Sequence, residues 1–137
     1  MGLIHLDAGV IIGFLDGDDA HHDAARAALA SALENGDNLS IAASALAEGL
    51  VGPAQRGPQA VELVRVVIDR LPVSVIGLDE EIATQAAVLR ARHRALKLPD
   101  ALVIATAIAS GADRLITTDR KWPTAQTMKV TVRIEQL

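Results

Sequence analysis

LPDALVIATAIASGADRLITTDRKW, residues Leu98 to Trp122, is a helix followed directly by a strand. Pro99 suits the first turn of a helix, and the alanine-rich apolar run behind it favours helix as far as Ser110. Ser110-Gly111 stops that helix, and Arg114 to Thr117 reads as a short strand ending at Thr118-Asp119. A helix rises about 1.5 Å per residue and a strand about 3.3 Å, so Pro99–Ser110 and Asp113–Asp119 span similar distances, roughly 17–20 Å. The turn at Gly111 reverses direction. Asp100, at the head of the helix, and Asp119, at the foot of the strand, therefore meet at one edge of a sheet.

The chain on either side extends the same alternation. Leu3 to Asp7 reads as a strand ending in an acid, and Ala8 to Leu15 as a short apolar helix. Asp16 to Asp19 is a turn, with Asp18 or Asp19 placed to cap a helix from Ala20 to Glu34. Leu39 to Ala42 is a second strand, and Ser44 to Val51 a helix carrying Glu48. Gly52-Pro53 and Gly57-Pro58 are two expected breaks. Pro58 opens a helix with Val61, Val64, Ile68 and Leu71 on one face, and Pro72 to Ile76 is a third strand. Asp79 caps a long helix with Ile82, Ala86, Leu89, His93 and Leu96 in line. Val130 to Ile134 is a last strand, alternating and suited to an edge. Strands alternating with helices make this an α/β chain, with a mainly parallel sheet of four to five strands in a single domain over residues 1–137.

Composition narrows the function classes. Half the residues are apolar, with one Phe, one Trp and no Tyr, so the core is aliphatic. Cysteine is absent, which excludes disulfides, thiolate catalysis and cysteine-based zinc sites, and fits a cytoplasmic protein. No apolar run reaches about 18 residues, so no membrane span is expected. The start, Met1-Gly2-Leu3-Ile4-His5-Leu6, has no basic region before its apolar residues and no hydroxyl residue at position 6. Neither a signal peptide nor myristoylation is expected. The net charge of −4 is unevenly spread. Residues 1–81 carry 13 acids and 4 bases, and residues 82–137 carry 4 acids and 9 bases. Lysine first appears at Lys97. The basic half suits an anionic partner, although for charge alone a solvated surface is the better explanation.

The acids are better placed than the charge balance implies. In a parallel sheet, sites form outside the carboxyl ends of the strands. Asp7 ends the first strand, Glu48 lies in the opening turns of the helix after the second, and Asp100 and Asp119 meet at that same edge. Each acid alone has an ordinary reading as a helix cap, a turn residue or a solvated charge. Four from independent segments on one edge are harder to dismiss, because close unpaired carboxylates raise one another's pKa and repel. A divalent cation removes that repulsion. An all-oxygen ligand set, with no suitably placed His or Cys, selects Mg²⁺ or Mn²⁺ over zinc.

These segments resemble the PIN-domain ribonucleases, and specifically their VapC-type toxins, along nearly the whole chain. IHLDAGVIIGFLD resembles the family's first strand and its closing acid, here Asp7. SALAEGL matches with Glu48, LPDALVIATAI with Asp100 and LITTDRKW with Asp119; DDAHHDAA resembles the usual first loop and helix. The resemblance implies a PIN-like three-layer α/β/α fold and a Mg²⁺-dependent endoribonuclease. Asp7, Asp100 and Asp119 would then bind metal, and Glu48 would ligate it, hold a metal-bound water or act as a base. It also implies an RNA substrate, a VapB-type antitoxin as neutralising partner, and a homodimer or toxin–antitoxin hetero-oligomer. One departure is Asp7-Ala8-Gly9, where the family often carries a hydroxyl residue just after the acid.

Other residues are weighed against ordinary roles. Arg90, Arg94 and Lys97 fall at i, i+4 and i+7, suited either to phosphate contact or to a solvated stripe. Arg120 and Lys121 follow Asp119 directly and favour substrate contact. Thr118 is the candidate hydroxyl supporting the metal acids, while ordinary strand preference accounts for Thr117. Trp122 suits packing or partner contact better than stacking on a base. His21 and His22 are adjacent and point in different directions, a poor metal pair. His93 reads as a partly buried core histidine, and His5 needs a hydrogen-bond partner. A phosphoacceptor receiver module lacks its acidic pair and the Asp ending a middle strand, and no glycine-rich phosphate loop is present. A non-catalytic or housekeeping PIN module binding RNA or protein is the remaining alternative; a non-catalytic one would typically have lost one of the four acids.

Overall fold

A computed structural model describes residues 2–137. β1 (Leu3–Leu6), β2 (Asn38–Ala42), β3 (Val73–Ile76), β4 (Arg114–Thr117) and β5 (Arg133–Gln136) form one parallel sheet in the order β3-β2-β1-β4-β5. α1 (Ala8–Leu15) and α2 (His22–Glu34) join β1 to β2, and α3 (Ala43–Arg56) and α4 (Pro58–Arg70) join β2 to β3. α5 (Glu80–Arg92) and α6 (Leu98–Ala109) lead to β4, and α7 (Ala125–Met128) precedes β5. The chain steps outward from β1 to β3, then returns across the sheet to β4. Right-handed crossovers therefore put α1–α4 on one face and α5–α6 on the other. This is the three-layer α/β/α arrangement, and its strand order reverses between β1 and β4.

The central strands are buried on both faces, so they read as near-continuous apolar runs. Ile4, Leu6, Leu39, Ile41, Leu115 and Ile116 are almost wholly inaccessible. The polar interruptions are partly paired, and His5 Nε2 has no hydrogen-bond partner among the described residues. His5 pairs with Ser40 across β1 and β2, and its Nδ1 lies 2.8 Å from Ser40 Oγ. Burial lowers the His5 pKa to about 4. α6 is packed on nearly every side, from Ala101 through Ala107. Its end turns as expected, with Gly111 at φ 69° and Ala112 N–H donating to Ala107 O at 3.0 Å. A residue without Cβ takes that left-handed conformation freely.

Several boundaries differ from expectation. α2 begins at His22, not Ala20, because Asp19 accepts the His21 N–H (2.8 Å) and prolongs the turn; neither Asp18 nor Asp19 caps the helix. α3 runs through Gly52-Pro53 to Arg56, and the break falls only at Gly57, at φ 123°. α5 ends at Arg92 instead of continuing to Leu96. The chain must reverse before α6, and Leu96, fully buried, anchors that reversal with its N–H on His93 O (2.9 Å). Arg90, Arg94 and Lys97 therefore share no helix face. The last strand is Arg133–Gln136, not Val130–Ile134, because the unforeseen α7 and left-handed Lys129 use up the preceding residues. Its register puts Arg114 beside Arg133, and Arg114 bonds Glu135 at 2.9 Å.

His5 makes stability depend on pH. The folded state keeps the imidazole neutral down to about pH 4, whereas the unfolded chain takes up a proton below about 6.5. Stability from this residue is present above pH 6.5 and is lost as pH falls toward 4, by roughly 3 kcal/mol at most. His5→Gln cannot titrate. Its denaturation midpoint should fall less than that of the wild type over this window, in parallel urea melts; equal slopes would contradict the assignment.

Candidate active site

All five strands end at one edge, and four acids are delivered there by different elements. Asp7 follows β1 directly, with its N–H on Ile116 O (3.0 Å) and its carboxylate accepting the Ala8 N–H (2.8 Å) as the cap of α1. Glu48 stands exposed in α3. Asp100 occupies the first turn of α6, and Asp119 lies two residues past β4. Asp7 and Asp119 flank the β1–β4 boundary where the strand order reverses, the place where open α/β sheets bind ligands.

The electrostatics fit a cluster short of positive charge. Burial first, then the carboxylates of Asp7, Asp119 and Glu48, push the Asp100 pKa up to about 6. The buried Trp122 indole N–H opposes that rise, though no hydrogen bond of standard geometry joins it to Asp100. Asp7 is raised by burial and by Asp119, against hydrogen bonds from Thr117 and Ala8 that favour its charge. Glu48, although exposed as a residue, is raised by partial desolvation of its carboxylate and then by Asp7. None of the four acids is ion-paired among the described residues. Nor, among those residues, do any three His or acidic side chains stand close enough to hold an ion as they are. The donor set nonetheless fits a hard divalent cation: every group is an oxygen, and the repulsion among them lacks a counter-charge.

The hydroxyl that supports the acids is Thr117. Its Oγ1 donates to Asp7 Oδ2 at 2.8 Å and accepts the Asp119 N–H at 3.0 Å, joining the two acids across β1 and β4. Buried hydrogen bonds to charged groups contribute about 1.5–3 kcal/mol. Strand preference alone does not account for this residue. Thr118 has a different position: it lines the cavity beside Asp100 and Asp119, and its hydroxyl faces Gly9. A Cβ at residue 9 would collide with Thr118 Oγ1, so Gly9 makes room for it.

A cavity of about 600 Å³ opens over three of the acids, while the buried Asp7 is not part of its lining. Glu48, Asp100 and Asp119 line it together with Lys97, Arg120 and Lys121. Arg90 and Arg94 are exposed but lie outside it. Trp122, 6% exposed, packs into the wall and has too little open face to stack on a base. His21 also lines the cavity, which the sequence reading missed. Its position was legible: α2 must end beside β2 at the amino edge, so its start must lie at the carboxyl edge.

The sequence model of the PIN domain matches residues 4–126. The chain belongs to the PIN-domain family. Among curated proteins, none matches it significantly. Its fold is shared by solved PIN structures. VapBC2 from Rickettsia felis, bound to a DNA fragment from their promoter, aligns with TM-score 0.76 and 17% identity, over 98% of each chain. A toxin–antitoxin complex from Klebsiella pneumoniae aligns with TM-score 0.65 and 24% identity, over 85% of this chain and 86% of that one. Mycobacterium tuberculosis VapC20, a sarcin-ricin loop cleaving toxin, aligns with TM-score 0.65 and 18% identity, over 82% and 86%. PIN domains as a family use divalent metal ions. No helix among the described residues of this PIN domain is long and apolar enough to cross a membrane.

The raised Asp100 pKa makes a stability prediction. The folded protein holds that proton up to about pH 6, the unfolded chain only to about 3.8. Stability from Asp100 is therefore lost as pH rises through that window. Asp100→Asn should melt higher than the wild type in metal-free buffer at pH 7.5, with the gain vanishing below pH 4. A variant melting lower at both values would contradict the repulsion.

Proposed function

We propose that this PIN domain is a Mg²⁺-dependent endoribonuclease of the VapC toxin kind, held inactive by a VapB-type antitoxin. The observation that carries it is the convergence of Asp7, Glu48, Asp100 and Asp119, none ion-paired among the described residues, at the strand-order reversal of the sheet. Asp7, Asp100 and Asp119 would hold Mg²⁺, or Mn²⁺, with Glu48 as a further ligand or as the base. The bound ion would supply an activated water and charge stabilisation on phosphate. The protein's own groups do the rest. Thr117 fixes Asp7 against Asp119, and Lys97, Arg120 and Lys121 offer the phosphate backbone positive charge at the cavity wall. Arg90 and Arg94 are contacts for RNA running beyond the cavity.

The antitoxin reading has a physical counterpart. A second cavity, about 440 Å³, is lined by Ile12, Leu15, Pro53 and Val64 with Asp16 and Arg56 at its side. Glu48 lines both cavities. A partner helix seated there could extend an arginine to the acids, where a bidentate bond to carboxylate would compete with metal. Homodimer or toxin–antitoxin hetero-oligomer assembly belongs to the same reading. A non-catalytic PIN module is disfavoured because all four acids are present.

Purified protein incubated with total RNA should produce new, mappable ends with Mg²⁺ and none with EDTA. Asp100→Asn should abolish them while keeping the native circular dichroism spectrum. Expression of the wild-type chain should arrest growth, relieved by co-expression of a partner encoded alongside. Uncut RNA at millimolar Mg²⁺ would overturn the nuclease reading; cleavage without growth arrest would leave a housekeeping nuclease.

A further inference from the structure

The adjacent histidines before and at the start of α2 have separate roles. His22 Nδ1 lies 2.8 Å from the Gly13 carbonyl and ties the loop to α1. The loop itself is closed on its own atoms. Asp18 N–H donates to Asp16 Oδ1 (2.9 Å), Asp19 N–H to Asp16 O (3.0 Å) and His21 N–H to Asp19 Oδ1 (2.8 Å). It also packs tightly on α1: a Cβ on Gly13 would lie 3.4 Å from His21 O and 3.5 Å from Asp19 Oδ1. His21 is thus held by a fixed loop. Its Nδ1 lies 3.5 Å from Asp19 Oδ1, the oxygen that accepts its main-chain N–H, and His21 lines the cavity together with Glu48, Asp100 and Asp119.

That arrangement matches a need of phosphodiester cleavage. The departing oxygen must gain a proton. Lysine and arginine side chains release protons poorly near neutral pH, and a metal-bound carboxylate has none to give. An imidazole both holds and releases one. We propose that His21, positioned by Asp19, is the proton donor to the leaving oxygen, an inference that rests on the nuclease reading above. In this step a water oxygen bonds to phosphorus, and its proton passes to a carboxylate of the cluster. The bond from phosphorus to the leaving oxygen breaks, and that oxygen keeps the bonding electrons and takes the proton from Nε2 of the imidazolium.

The test uses an RNA oligonucleotide containing a mapped cut site, made once with its ordinary linkage and once with sulfur as the leaving atom. A thiolate departs without needing a proton. His21→Gln should cut the ordinary RNA about 100-fold or more slowly than wild type, yet cut the sulfur-bridged RNA within about threefold of it. Asp19→Asn should give a smaller loss of the same pattern. Equal cleavage of ordinary RNA by His21→Gln and wild type would overturn the proposal. So would an equal loss on both RNAs, which marks a binding or structural role. Loss of the Mg²⁺-dependent rise in melting temperature in His21→Gln would also overturn it, making His21 a metal ligand. Wild-type protein that cuts neither RNA fails at the earlier step, and overturns the nuclease reading itself.

Discussion

Like charges gathered at one edge of a parallel sheet are the constraint on which the rest of this structure depends. β1 and β4 lie side by side, so the acids that follow them, Asp7 and Asp119, are neighbours by topology. α6 returns Asp100 to the same edge, and α3 leaves that edge carrying Glu48. The sheet cannot separate them without changing its strand order. The fold offsets the repulsion partly from within: Thr117 and the Ala8 N–H bond the Asp7 carboxylate. No cationic side chain among the described residues bonds to the acids, although Lys97, Arg120 and Lys121 stand around the cavity mouth. Charge arranged in that way favours an external cation between the acids and an external polyanion across them.

The sheet supplies the rigidity that such a site needs. Its central strands are inaccessible, and α6 is buried along most of its length. Functional groups projecting from the ends of these elements inherit their fixed positions more precisely than groups on loops, which need their own bonds to hold them. The Asp16–His21 turn is of the second kind, closed by its aspartates and tied to α1 by His22. Arg114, at the start of β4, forms salt bridges with Glu135 on neighbouring β5 and with Asp37 just before β2, at the sheet edge opposite the acids.

Much of this was legible in the sequence wherever a long, periodic element carried the signal. The Pro99–Asp119 segment gave its helix, its reversal at Gly111 and the meeting of its two acids. The parallel direction of the strands follows from the alternation of strands and helices. The failures were local. Pro53 was read as a break, but a proline inside α3 is tolerated and the helix ends at Gly57. α7 has four residues, too few for periodicity; its signal was a threonine cap, since Thr124 Oγ1 accepts the Thr127 N–H. Thr117 reads as an ordinary strand residue, because sequence does not tell which hydroxyl faces a buried acid. The sequence presents His21 as half of an adjacent histidine pair, while the length of α2 places it at the carboxyl edge.

The central claim is that the four acids repel one another until a divalent cation joins them. Thermal melting of the wild-type protein against Mg²⁺ concentration at pH 7.5 tests it most directly. A ligand bound only by the native state raises stability by RT ln(1 + [L]/Kd). The account predicts a melting temperature that climbs with Mg²⁺ well beyond the effect of matched Na⁺ ionic strength. A melting temperature that follows ionic strength alone, with no separate response to Mg²⁺ or Mn²⁺ up to about 10 mM, would contradict it.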